Sequence, residues 1–171
     1  TATHWSFEDG TASPVTTADE FGKLVVDRDV DRNDKKTPMN KDGKYYLSTV
    51  EVEDPLKYNE SFQGELRSPV IYLAEPTVTL KISGGGPDNY VAVCRESDNQ
   101  ELARVSSPKN AHPFQDVTLD LGDNFIEGEA VYLKIVDATT SGWGFIQVDD
   151  IRFRGAVHQD PIVDIVFDFE G

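Results

Sequence analysis

"PTVTLKIS", residues 76–83, and "AVYLKIV", residues 130–136, decide the fold class. In the first, Val78, Leu80 and Ile82 alternate with Thr79 and Lys81. In the second, Val131, Leu133 and Ile135 alternate with Tyr132 and Lys134. A period of two puts one set of side chains on each face of a strand, so each segment reads as a half-buried antiparallel strand. Further strand-like runs lie near 4–8, 44–52, 65–73, 90–96, 101–106, 115–121 and 145–154. Turn-forming stretches separate them: "NKDG", "GGGPDN", "SDNQ", "SSPKN", "GDN" and "EGE". No window of ten residues keeps a helical apolar spacing. Many short strands without helices predict an all-β antiparallel sandwich or barrel.

The chain has 171 residues, enough for one domain that needs no disulfide or metal merely to fold. Its 31 acidic residues outnumber its 16 basic ones, for a net charge of −15. That balance argues against nucleic acid and against an anionic membrane surface, both of which need basic stripes. It leaves neutral substrates and cations open, and it also serves solubility. Cys94 is the sole cysteine. It excludes an intrachain disulfide and reads as a small buried hydrophobe. No apolar run approaches the length of a membrane span.

The start, "HWSFEDG" (4–10), resembles the finish, "VFDFEG" (166–171). One domain is expected over 1–155. Residues 156–171 are either a linker with the first strand of a following module, or an edge strand of this domain's own sheet. Thr1 reads as a cut edge, either a processed mature end or a boundary inside a longer chain.

Two features carry chemistry. In "FIQVDDIRF", Ile146 and Val148 share one parity while Ile151 and Phe153 share the other. Both pairs can face a core only if a β-bulge intervenes at Asp149–Asp150. A bulge re-aims carboxylates and exposes carbonyls, which suits calcium, a cation with six to eight oxygen ligands. Glu8 is a second acidic interruption in a terminal strand, and the first and last strands of a sandwich often adjoin. The alternative is that all three are solvated charges. The loop "DRDVDRND" places Asp27, Asp29, Asp31 and Asn33 at calcium-loop spacing. Arg32 and Pro38 then fill the positions that need glycine and a bidentate glutamate, so a solvated loop is expected there.

The second feature is Trp143, between Gly142 and Gly144. At a loop tip it is either a plate that stacks on a sugar ring or a plug that closes one end of the sandwich. Asp88, Asn89 and Tyr90 of the glycine loop "SGGGPDNY", with Arg95 from the next strand, offer partners for hydroxyls. The glycine run lacks the Lys-Ser/Thr and helix of a phosphate loop. No nucleophile elbow or metalloprotease helix is present. No carboxylate pair stands out by an apolar setting.

"GELRSPVIYL" (64–73), "VTLKISGGG" (78–86), "YVAVCRESDNQELARV" (90–105) and the run from Val117 to Ile151 occur in a familiar order. Over about residues 5–154 the chain resembles galactose-binding-like β-sandwich accessory modules of secreted bacterial glycoside hydrolases. The nearest likeness is to modules beside the fructan-degrading enzymes of glycoside hydrolase family 32. Those modules usually carry histidine after "GWG", where this chain has Phe145. The resemblance implies the jelly-roll form of the sandwich and an extracellular, monomeric, noncatalytic carbohydrate-binding module. It would hold a covalently linked catalytic domain near a neutral polysaccharide such as fructan. Trp143 and Tyr90 would stack on sugar, and Asn89, Asp88 and Arg95 would bind its hydroxyls. A structural calcium would join the first and last strands through Glu8 and Asp149 or Asp150, with Asn40 or Asp42 contributing. The competing expectation is a structural spacer with no ligand of its own.

Overall fold

The computed structural model describes residues 1–53 and 57–159. Ten strands follow one another: β1 (Ala2–Trp5), β2 (Val25–Val26), β3 (Tyr46–Ser48), β4 (Gly64–Arg67), β5 (Ile71–Gly84), β6 (Tyr90–Arg95), β7 (Glu101–Val105), β8 (Ala111–Asp120), β9 (Ala130–Asp137) and β10 (Ile146–Val157). One 3-10 turn, Gly122–Asn124, precedes β9. Among the described residues no helix is long and apolar enough to cross a membrane.

Among the described residues every strand pairing is antiparallel, and the strands form a β-sandwich of two leaves. In the first, β10 lies between β5 and the pair β3 and β1, with β2 beyond β3 and β8 beyond β5. In the second, the order is β4-β9-β6-β7. The leaves join where Ile71 and Tyr72, at the start of β5, pair with β9. The core between them follows the predicted alternation. Val78, Leu80 and Ile82 meet Val91, Val93, Leu133 and Ile135, and Ile146, Val148, Ile151 and Phe153 complete it. Burying a side chain of this kind is worth roughly 1.5–3 kcal/mol, so the alternating sets fix register as well as stability.

The bulge forms where parity requires it. Asp149 pairs with Lys81 and Arg152 with Thr79, so three steps on β10 oppose two on β5. Asp150 takes up the extra residue with φ 53°. Ile151 and Phe153 thereby return to the core, 0% and 4% exposed.

Three boundaries differ from the sequence reading. Strand β5 runs unbroken through Glu75–Pro76, where two strands were expected. The pair Val25–Val26 is too short to show a period, yet it forms the edge strand β2. Strand β10 includes Ala156 and Val157, and the His158 amide still donates to the Val70 carbonyl, so the last strand runs past the end expected near 154. The repeat-like run 166–171 lies outside the described residues.

The polar insert 27–42 folds as a loop held by ion pairs within it and to Glu51. Arg28 and Arg32 both donate to the buried carboxylate of Glu51. Asp29 pairs with Lys41 at 2.8 Å, Asp31 accepts the Asn33 amide, and Asp34 accepts the amides of Lys36 and Thr37. These carboxylates turn to local partners rather than to a common centre.

Candidate functional site

The end of the sandwich that carries Trp143 is built by backbone contact. The glycine run at 84–86 leaves room for it: a β-carbon on Gly84 would lie 2.3 Å from the Phe145 carbonyl, and one on Gly85 would lie 2.2 Å from that of Trp143. Trp143 itself sits at φ 62°, the left-handed region that costs a bulky residue strain. Asn89 pins this geometry. Its Oδ1 accepts the Ala138 amide at 2.9 Å, and its Nδ2 donates to Thr139 Oγ1 at 3.0 Å and to the Trp143 carbonyl at 3.2 Å.

The Trp143 ring is half-buried, between the two expected extremes. It stacks on Phe145, with centroids 5.7 Å apart, and tilts against His112 at 5.2 Å. His112 in turn stacks on Phe145 at 5.2 Å. Phe145, which follows the Gly142–Gly144 turn, is therefore a buried support for the tryptophan. The imidazole that meets it comes from β8, and burial lowers its pKa, so the ring favours the neutral form.

The other expected sugar contacts do not all gather here. Asn89 is 1% exposed, with its amide spent on the loop. It positions Trp143 and cannot also grip a hydroxyl. Arg95 stands five residues along β6 from Tyr90, roughly 17 Å at 3.3 Å per residue. It is held there by Glu129, Asp98 and Gln100. It does not reach the loop. Asp88 is exposed beside the loop, and Tyr90 opens onto the outer face of the second leaf. Tyr90 borders a depression of about 410 Å³ with Lys134, Val136 and Glu65, ending at Ala138 where the Trp143 loop begins.

Asp137 also borders that depression. Burial raises its pKa to about 7, and its Oδ2 accepts from Thr49 Oγ1 at 2.8 Å. A carboxyl in such a setting suggests a general acid. At 1% exposure, with Oδ1 sealed and unpartnered, it cannot touch a glycosidic oxygen. Its role is inside the fold, and it has a measurable signature. The folded state keeps this proton up to about pH 7, while the unfolded chain releases it near 3.8. Stability from this group is thus complete below pH 3.8 and falls as pH rises toward 7, by up to about 1.4 kcal/mol per unit. In chelator, the melting temperature should decline from pH 5 to 7, and Asp137→Asn should make the decline shallower, leaving the share of the similarly buried Asp149. An equal slope in the variant would assign it elsewhere.

The bulge end gathers the expected metal-site residues around one turn. Glu8 accepts the amides of Lys44 at 2.6 Å and Tyr45 at 2.9 Å, and Asp149 Oδ2 accepts the Asp42 amide at 2.7 Å. Asp150 Oδ1 lies 2.7 Å from both His4 Nε2 and Arg152 Nε, and Asp42 Oδ2 lies 3.3 Å from His4 Nε2. Ligand atoms of His4, Asp42 and Asp150 all fall within 4.8 Å of one another. Asn40 precedes this turn, exposed, at φ 60°. Sequence reading missed His4, whose strand pairing with β10 brings it to the bulge. Asp149 is 0% exposed and its Oδ1 has no partner. Burial raises its pKa to about 7. An orphaned, buried, oxygen-rich donor of this kind fits a hard cation.

No protein-family model matches the chain, and no curated protein matches it in sequence. Solved structures do match in shape. The K2 cleaved adhesin domain of Lys-gingipain aligns over 90% of this chain and 99% of its own length, with 16% identity and a TM-score of 0.57. The K1 cleaved adhesin domain of Lys-gingipain from Porphyromonas gingivalis W83 covers 93% and 99%, with 14% identity and a TM-score of 0.55. TmCBM61, solved in complex with β-1,4-galactotriose, covers 87% and 94%, with 18% identity and a TM-score of 0.51. The chain shares the β-sandwich of these domains.

Proposed function

We propose that this chain is a noncatalytic carbohydrate-binding module. The observation that carries the reading is Trp143. It is a half-buried aromatic in a strained loop, held from below by Phe145 and His112 and pinned through Asn89. A ring fixed before the ligand arrives binds without the entropy cost of ordering it. Aromatic planes of this kind stack on the apolar face of neutral sugars. The sandwich shared with TmCBM61, which was solved with a galactotriose, supports the same reading.

The partner is a neutral polysaccharide, fructan being the first to test. The module acts by holding a linked glycoside hydrolase near its polymer outside the cell, raising effective concentration rather than doing chemistry. It works as a monomer. A structural calcium at the bulge completes it, held by oxygens of Asp149, Asp150, Asp42 and Glu8, with Asn40 beside them.

Intrinsic fluorescence tests the reading, since Trp5 is the only other tryptophan. Titration with fructan, then with other neutral polysaccharides, should give a saturable shift that disappears in Trp143→Ala. No shift with any polymer, together with a destabilised variant, would make Trp143 a plug and the domain a spacer.

A further inference from the structure

The outer face of the second leaf carries a row of cations that its register lines up. Arg67 on β4 lies directly opposite Lys134 on β9, Lys134 opposite Ala92 on β6, and Ala92 opposite Arg104 on β7. Neighbouring strands sit about 4.8 Å apart, so three positive groups span the leaf around one small side chain. Like charges placed directly opposite destabilise a sheet. In a chain of net charge −15, composition does not supply that arrangement by default.

The row is also held in place. The Arg104 guanidinium lies 3.5 Å over the Tyr90 ring and donates twice to Glu101, at 2.8 and 2.9 Å. The Arg67 guanidinium lies 4.9 Å over the Tyr132 ring and donates to Glu65 at 2.8 Å. Lys134 stands between them with no carboxylate partner among the described residues, 6.0 Å from the Tyr90 ring centre. It opens onto the depression of about 410 Å³ beside Tyr90, a size that accepts a small ligand. Ala92 and Cys94 are fully buried beneath the row, packed with Tyr90 and Tyr132, so a ligand meets the cationic groups and not the floor.

From this row we infer that the outer face of the second leaf binds an anionic saccharide, carboxylated or sulfated, with Lys134 as its central contact. The inference rests on the carbohydrate-binding reading but concerns a different face from Trp143. It also corrects the role expected for Tyr90, whose ring face is covered by Arg104 and serves to aim that guanidinium rather than to stack on sugar. The two glutamates limit the excess of positive charge to the centre of the row. Each exposed charge acts only over a Debye length of about 10 Å, so the row attracts the groups next to it while the acidic remainder of the surface repels those of a ligand long enough to extend over it. A short acidic oligosaccharide or an acidic branch sugar therefore suits the site better than a long polyanion.

The test is calorimetric titration with oligogalacturonides, with sulfated galactan oligomers and with neutral galactan oligomers, in the full chain. At least one anionic series should bind, and whichever does identifies the anionic group. Lys134→Gln, on an outer face where it leaves the core untouched, should weaken that binding at least tenfold. Lys134→Arg should restore most of it. The Trp143 fluorescence response to neutral polymer should be the same in all three proteins. Binding that ignores Lys134→Gln, or no binding of either anionic series, overturns the inference. If the neutral response survives that result, the module reading stands without it. If the neutral response is missing too, both fall.

Discussion

Replacing Asn89 with alanine is expected to lower the melting temperature by roughly 6–12 °C. The side chain is 1% exposed and satisfies the Ala138 amide and the Trp143 carbonyl, as well as the Thr139 hydroxyl. Truncation removes three part-buried hydrogen bonds, to the Ala138 amide, to the Thr139 hydroxyl and to the Trp143 carbonyl, which then keeps only the Phe145 amide, and each such bond contributes about 0.5–1.5 kcal/mol. About 3 kcal/mol in all, at ~2–4 °C per kcal/mol for a domain of this size, gives the stated drop. The variant should also weaken the saccharide response of Trp143, because Asn89 shares with the Phe145 amide the hold on the carbonyl of that residue at φ 62°. Asp88→Ala, one residue away on the exposed side, should change stability by no more than about 0.5 kcal/mol. Equal melting temperatures for Asn89→Ala and the parent would show that the loop is held by its glycine contacts alone.

This pair also marks how far the sequence is legible. Alternation along 76–83 and 130–136 is a local signal, and it places the core side chains on the correct face. The clash of parity across Asp149–Asp150 is local too, and it locates the bulge without any structure. Asn89 is another matter. Its type and its place beside a glycine run suggest a ligand contact as readily as a loop pin. Only the approach of residues 138–143, some fifty positions away, decides between them. Arg95 fails for a similar reason: nearness in sequence along a strand is distance in space, because a strand extends. His4 and His112 are isolated histidines in the sequence. Strand pairing carries one to the bulge, and packing of β8 carries the other to Phe145 and Trp143. The cation row is written in four separate strands and exists only once their registers are set.

Calcium is expected to raise the melting temperature by about 5–10 °C at a concentration a hundred times its dissociation constant. Saturation to that degree contributes about 2.7 kcal/mol, and the same ~2–4 °C per kcal/mol converts it. Extracellular modules bind calcium with dissociation constants of about 0.1–1 mM, so the experiment needs tens of millimolar and a chelator control. The reason for so large a response is Asp149. Its carboxyl is wholly buried, with one oxygen on the Asp42 amide and the other without a partner. Ionising it there is unfavourable until a cation arrives, and the cation also relieves the crowding of Asp42 and Asp150. Asp149→Asn separates these effects. In chelator the amide keeps an acceptor for Asp42 and removes a buried acid, so the variant should melt no lower than the parent. In calcium it should gain almost nothing while the parent gains fully, so the order of the two proteins reverses. Asp29→Asn, in the loop with calcium-like spacing, should leave the response intact because Asp29 is paired with Lys41. A parent whose melting temperature is the same in calcium and in chelator would leave Asp149 a protonated acid in the fold and remove the metal from the site.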